Sequence, residues 1–292
     1  MNIVDEIKES FRKGSVLTRL IYVNIGVFVL LRLINVIFFL MNENFGLINW
    51  LALPASQEAL LQHPWTIFTY MFLHFDFLHI LFNILWLYWM GKIFLIYFDE
   101  KKLLGVYILG GLFGGIFFLL GYNLFPAFAN HLQFSRLLGA SASVLAIIAA
   151  VATYAPNHAI NLLFIGQVKM KHVAIFSIVI YTIGIASSNA GGNLAHLGGA
   201  FLGFLFVYLL RKNHDLTSVI TLLSDKLQKL FKPKQRVKVS YRNQNSANMD
   251  IEYNRKQNVK QEEINRVLDK ISKSGYDSLT KEEKELLFKM GK

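Results

Sequence analysis

Three short stretches of the 292-residue chain place reactive side chains inside otherwise apolar segments. The first is His74-Phe-Asp76-Phe-Leu-His79-Ile-Leu-Phe-Asn83, and the second is Gly139-Ala140-Ser141-Ala142. The third is Ala195-His196-Leu197-Gly198-Gly199-Ala200-Phe201-Leu202-Gly203. A serine beside a histidine can form an acyl intermediate, the imidazole taking the hydroxyl proton and returning it to the leaving group. Histidine and asparagine four residues apart share one helix face and can supply hydrogen-bond donors to a developing oxyanion. Each feature has a plainer explanation. A lone serine in an apolar helix bonds the carbonyl one turn back, and a lone histidine or asparagine can serve as interhelical glue. Only the joint occurrence singles them out.

The elements that must position these groups are membrane spans. The chain is 54% hydrophobic and 17% charged, and its apolar residues fall in blocks near the ~20 residues that cross a bilayer core. A large soluble α-protein would need a more charged surface. Six spans are expected: 20–41, 71–97, 103–125, 139–154, 172–187 and 194–210. The fold class is therefore all-α, a polytopic six-helix membrane bundle carrying a small cytoplasmic C-terminal helical hairpin.

Basic residues cluster in alternate loops: Lys8 to Arg19, Lys101 and Lys102, Lys169 and Lys171, Arg211 and Lys212, against Arg136 alone on the other side. Positive charge marks the cytoplasmic side, so both termini are expected there. The N-terminal segment mixes acidic and basic residues without a cleavage signature, arguing against a removable leader. Arg32 falls inside span one and is expected to snorkel outward. The long loop 42–70, with Trp50 and Trp65, is expected to sit half-sunk in the outer interface.

Depth then links the three stretches. Ser141 and His196 lie 13 and 14 residues from the inner ends of spans four and six. At the rise of an α-helix that is roughly 20 Å for both. Spans two, four and six run in the same direction, so Asn83, Ser141 and His196 can share one level. Span four, at about 24 Å, is shorter than the ~30 Å core, so its serine should begin a sunken helix facing a water-filled cavity. Ala195, Gly199 and Gly203 recur every fourth residue, a small-residue face that allows close helix packing against Ala142 and Ala149.

The remainder divides into domains. Residues 1–15 form a cytoplasmic N-terminal segment and 16–212 the membrane domain. Residues 213–231 read as an amphipathic interfacial helix, 232–258 as a polar basic linker and 259–292 as a helical hairpin. In that hairpin Gly275 is a stop and Thr280 with Glu283 a capping box. Residues 211–292 carry 19 of the 30 basic residues. The run Lys232, Lys234, Arg236, Lys238 and Arg242 suits an anionic inner leaflet better than nucleic acid, for which one basic cluster is weak support.

There is no cysteine, which excludes disulfides and thiol chemistry. HExxH is absent and the spans hold no paired aspartates, so no metal or other cofactor is expected.

Together these residues resemble the rhomboid family, which pairs a GxSG serine with an AHxxGxxxG histidine and carries HxxxN on its second span. The resemblance covers residues 16–212. It implies an intramembrane serine endopeptidase with Ser141 as nucleophile and His196 as base. It further implies an oxyanion hole from Asn83, His79 and the Ser141 N–H, supported by Gly139 and Ala140. The implied substrates are single-span membrane proteins cut near the outer face. A bacterial inner membrane is the expected location.

Three positions depart from the family pattern. Ala142 replaces a glycine, Thr66 replaces an arginine after Trp65, and Leu145 replaces an aromatic that stacks on the histidine. A catalytically inactive rhomboid-like binding factor is the alternative. A transporter lacks support, because no internal repeat with broken helices is present.

Overall fold

The structure is a computed structural model that describes residues 2–43, 46–162, 165–231 and 244–290. It comprises two units, 1–232 and 233–292.

The first unit is a bundle of apolar helices. An amphipathic helix α1 (Ile3–Lys13) leads through Gly14 into α2 (Val16–Leu40). The segment read as a loop contains short elements: α3 (Leu47–Leu51), β1 (Leu53–Pro54), α4 (Gln57–Gln62) and α5 (Thr66–Thr69). Then come α6 (Phe77–Tyr97), α7 (Glu100–Leu124), β2 (Arg136–Leu137) and α8 (Ser141–Tyr154). A β-hairpin, β3 (Ala159–Leu162) and β4 (Gly166–Lys169), precedes α9 (Met170–Ile183), α10 (Ala190–Leu210) and α11 (Ser218–Phe231).

Four helices, α2, α6, α7 and α10, are long and apolar enough to cross a membrane. Helix α8 and the α9 region (Met170–Ala186) are apolar but shorter. The surface supports the membrane assignment independently. Helix α2 leaves Val29, Leu30, Leu33, Val36, Ile37, Phe39 and Leu40 exposed. A soluble monomer rarely exposes a contiguous apolar patch of that extent. The chain is an all-α, largely membrane-spanning bundle.

Helix α8 is its centre. Eleven of its fourteen residues are buried, among α6, α7, α9 and α10. The burial is possible because the facing helices offer glycines. A Cβ added at Gly199 would stand 2.1 Å from the Ala142 carbonyl oxygen, and one at Gly203 would stand 2.2 Å from that of Ala146. Backbones in such contact exclude any side chain, and the area of close van der Waals packing replaces the hydrophobic drive that lipid cannot supply. Helix α2 is tied to α7 differently, by the fully buried Asn24, whose amide donates to the Tyr107 hydroxyl at 3.0 Å.

Some element boundaries differ from those read in the sequence. Helix α6 starts at Phe77, because the Asp76 carboxylate accepts from the His79 N–H at 2.8 Å and caps it there. His74 therefore precedes the helix. Helix α8 starts at Ser141 rather than Gly139, whose φ of +126° is incompatible with a helix. Arg32 is exposed, with its guanidinium 5.3 Å from the Phe28 ring centroid.

The second unit is a helical pair, α12 (Gln244–Ser274) and α13 (Lys281–Met290). Residues 244–258, read as linker, are helical. The side chains from 251 to 263 are exposed throughout, so no apolar stripe betrays the helix there. Buried Ile264, Val267 and Leu279 join the pair. Thr280 N–H donates to Glu283 at 2.8 Å and Glu283 N–H to the Thr280 hydroxyl at 3.3 Å, a reciprocal cap. Gly275, at φ +76°, ends α12. The basic run 232–242 lies outside the described residues.

Candidate active site

The chain reaches Ser141 by a guided descent. Strand β2 pairs antiparallel with β1, matching Leu53 to Leu137 and Pro54 to Arg136, so the buried stretch before α4 fixes the segment ahead of the serine. The Gly139 N–H then donates to the Tyr70 carbonyl at 3.0 Å. The left-handed Gly139 turns the chain into α8 with Ala140, which is 1% exposed, at the cap position. Ser141 is the first residue of the helix, so its N–H has no acceptor within the helix and remains free to donate.

His196 approaches from α10. Its Nε2 lies 2.6 Å from the Ser141 Oγ, the only hydrogen bond to the imidazole among the described residues, since its buried Nδ1 has no partner. Among the described residues the site thus contains a serine–histidine pair and no carboxylate behind the histidine. Such a pair can transfer the hydroxyl proton and generate a nucleophile when Nε2 is the unprotonated nitrogen.

His79 and Asn83 stand beside the serine on α6. The Phe75 N–H points to His79 Nδ1 at 3.4 Å, a long bond that favours the tautomer with the proton on Nε2. That Nε2 faces the backbone at Gly139, where an added Cβ would lie 2.9 Å from it and 3.6 Å from the Ser141 Oγ. Asn83 is 7% exposed; its amide donates one hydrogen to the His79 carbonyl at 2.8 Å. An amide carries two hydrogens, so a second remains for another acceptor.

Two cavities meet at Ser141 and Asn83. One, of about 760 Å³, is apolar and lies between α6, α8 and α9, with Trp86, Leu145, Phe176 and Tyr181 in its walls. The other, of about 600 Å³, is bordered by His79, His196, Ser135, Arg136 and Asn189. Among the described residues no group of three or more histidine, aspartate or glutamate side chains could hold a metal ion.

The three departures have visible settings. The Ala142 methyl faces α7 at Gly114, where an added Cβ would be 2.5 Å away, so a glycine there makes room for it. Thr66 is fully buried and donates to the His63 carbonyl at 2.7 Å. The surrounding loop is held by Trp65 Nε1 donating to the Trp50 carbonyl at 2.8 Å and by Thr69 donating to that of Leu51 at 2.7 Å. Leu145 does not touch the histidine with an aromatic ring, but Tyr181 of α9 does. Its ring centroid is 4.1 Å from that of His196, edge to face at 60°. Sequence reasoning missed Tyr181; its aromatic character inside a predicted span was the only available signal.

The rhomboid domain family matches residues 61–213, which hold His79, Asn83, Ser141, Tyr181 and His196. The chain belongs to the rhomboid family. It is 30% identical over 175 residues to the rhomboid protease GlpG of Yersinia pseudotuberculosis serotype I, covering 59% of this chain and 57% of that one. The proteins of the same name from Yersinia pestis and Yersinia enterocolitica are 29% and 28% identical, with the same coverage. The match spans a little over half the length of these relatives. A second family, DUF6576, of unknown function, matches residues 247–290.

Proposed function

We propose that this protein is an intramembrane serine endopeptidase acting through a dyad of Ser141 and His196. The observation that carries the reading is the 2.6 Å contact between Ser141 Oγ and His196 Nε2, made at the N-terminus of a helix that starts inside the bundle. Family membership supports the same reading at the level of reaction class.

In this mechanism neutral His196 takes the Ser141 proton as Oγ attacks the scissile carbonyl. The oxyanion accepts from the Ser141 N–H, the second Asn83 amide hydrogen and His79 Nε2–H, donors already oriented before charge develops. Collapse of the tetrahedral intermediate breaks the C–N bond, and His196 returns its proton to the leaving amine. Water entering by the cavity beside Arg136 is then deprotonated by His196 and hydrolyses the acyl-enzyme. With no carboxylate behind it, the imidazole owes its orientation to packing. Gly139 and Ala140 shape the turn that aims the serine, while Gly199 and Gly203 bring α10 onto α8.

The topology we assign has six spans: the four long helices, plus α8 and α9 as the short ones. Both termini are cytoplasmic and the serine faces the outer half of a bacterial inner membrane. The substrates are single-span membrane proteins, admitted from the lipid side through the apolar cavity and cut where their helix unwinds. The exposed apolar residues Val219, Leu222 and Leu223 of α11 suit an interfacial helix, from which the basic run 232–242 meets anionic lipid.

The test is a double-mutant cycle on cleavage of a tagged single-span substrate in liposomes. Ser141→Ala and His196→Ala should each abolish turnover, with the double variant no worse than either, because the two act as one unit. Additive losses, or a Ser141→Ala enzyme that still cleaves, would reject the dyad.

A further inference from the structure

We infer that Tyr181 is the positioning residue for the His196 ring, and that it couples the wall of the apolar cavity to the dyad. The inference rests on the dyad reading above.

The argument begins with what holds the imidazole. A histidine that works as a base needs its acceptor nitrogen aimed at the hydroxyl, and one hydrogen bond leaves the ring free to rock about it. His196 has no hydrogen bond at Nδ1 among the described residues. What constrains its plane is the Tyr181 ring, 4.1 Å away between centroids and inclined at 60°. Aromatic pairs prefer such edge-to-face geometry.

Tyr181 also belongs to the cavity. It lines the apolar space together with Phe176 and Ile180 of α9, Trp86 of α6 and Leu145 of α8. The buried residues of α9 are Met170 and Val173, both in its first turn. The end that carries Tyr181 buries less of its surface and is held mainly by the Asn193 amide of α10, which donates to the Gly184 carbonyl at 2.6 Å. A segment entering the cavity and pressing on that end of α9 would move the aromatic ring that touches His196. The dyad is thus sensitive to what fills the cavity, through a residue that contributes no polar atom to the reaction.

The position of Leu145 supplies the control. It is buried one turn after Ser141, on the same face of α8, and borders the same cavity. A phenylalanine there brings a ring to the dyad from α8 instead of α9.

The experiment compares three variants by cleavage kinetics, rate of Ser141 labelling by a fluorophosphonate, and thermal midpoint. Tyr181→Phe keeps the ring and should stay close to wild type. Tyr181→Leu keeps apolar bulk but loses the ring. Its kcat and labelling rate should fall about two- to tenfold, the value of one aromatic pair, with the midpoint unchanged. Adding Leu145→Phe to Tyr181→Leu should restore both rates. Wild-type rates in Tyr181→Leu would overturn the inference. So would a loss of rate that tracks a fallen midpoint and is not rescued by Leu145→Phe, since that describes packing alone. The dyad itself would survive either result; it falls only to the additive losses or the Ser141→Ala cleavage named above.

Discussion

Gly199→Ala is the smallest change that should separate Ser141 from His196. The new methyl would start 2.1 Å from the Ala142 carbonyl oxygen, 2.8 Å from its carbon and 3.1 Å from its Cα. These are backbone atoms of a buried helix, so no side chain can rotate away. Ordinary contact begins at 3.4 Å, so α10 must retreat by about 1.3 Å. Gly199 lies within one turn of His196, and Ala142 follows Ser141 directly. The same retreat would stretch the 2.6 Å dyad contact toward about 3.9 Å, beyond hydrogen-bond range. Misplacement on this scale costs about 10²-fold in rate. Stability should suffer less: overpacking costs about 1–3 kcal/mol, partly offset by about 1 kcal/mol of helix propensity gained over glycine. The control is Gly26→Ala, because nothing lies within 4 Å of a Cβ at Gly26. Turnover in liposomes and thermal midpoint, measured for both variants, decide the matter. A folded Gly199→Ala enzyme with wild-type kcat refutes the argument that backbone contact sets the dyad distance.

Three further outcomes are expected. Asn83→Ala should lower kcat by about 10²–10³ with little change in KM, as for the loss of one oxyanion donor, and unchanged turnover would reduce Asn83 to a helix-packing role. In the C-terminal unit, the hydrogen bond from Lys270 and then the Thr280 N–H hold the Glu283 carboxyl below its ordinary range. A depressed carboxylate stabilises above its unfolded value and ceases to as pH falls through the folded one. Hydrogen-exchange protection of residues 264–283 in the full chain, taken relative to the unfolded-chain rate at the same pH, should therefore fall under acid, and Glu283→Gln should lower it already at pH 7. Truncation after residue 232 should leave cleavage of a generic substrate in detergent largely intact, since the dyad and both cavities lie within the first unit; loss of cleavage in folded enzyme would show that the tail is needed for catalysis.

How much of this was legible in sequence depended on whether the signal was periodic. The four long spans announce themselves by length and apolarity, and the Ser141, His196 and Asn83 stretches by polar groups where lipid tolerates few. The reciprocal cap at Thr280 and Glu283 was readable because it is local, spanning four residues. The pairing of β1 with β2 was not, because two-residue strands more than 80 positions apart carry no pattern. Tyr181 escaped for a related reason: its partner lies on another helix, at a separation no helical period relates. The first part of α12 hid because its few apolar residues, such as Ile251, Tyr253 and Val259, are exposed and form no buried stripe. Its support is intrinsic propensity and an exposed i,i+4 pair, Glu252 with Lys256 at 3.3 Å, rather than a buried stripe.

A serine–histidine pair without a third polar member shifts the burden of precision from hydrogen bonds to backbone geometry. A carboxylate behind the imidazole would fix both tautomer and plane; His196 has none among the described residues. Instead, the serine is fixed by a left-handed glycine and a helix start, and the histidine by a glycine face pressed against α8 and a ring from α9. Each constraint is steric, and most involve residues with no functional group. Two consequences follow for mutagenesis of this chain. Variants of Gly139, Gly199 and Gly203 should rank with variants of Asn83 in lost turnover, although glycine has no side chain with which to touch substrate. And the rate should respond to whatever moves helices, such as bilayer thickness or a neighbouring protein, more steeply than in a triad whose histidine is tethered by charge. Turnover measured across phosphatidylcholine bilayers of increasing chain length, at constant substrate, tests this: a flat profile would mean that helix packing does not set the dyad distance.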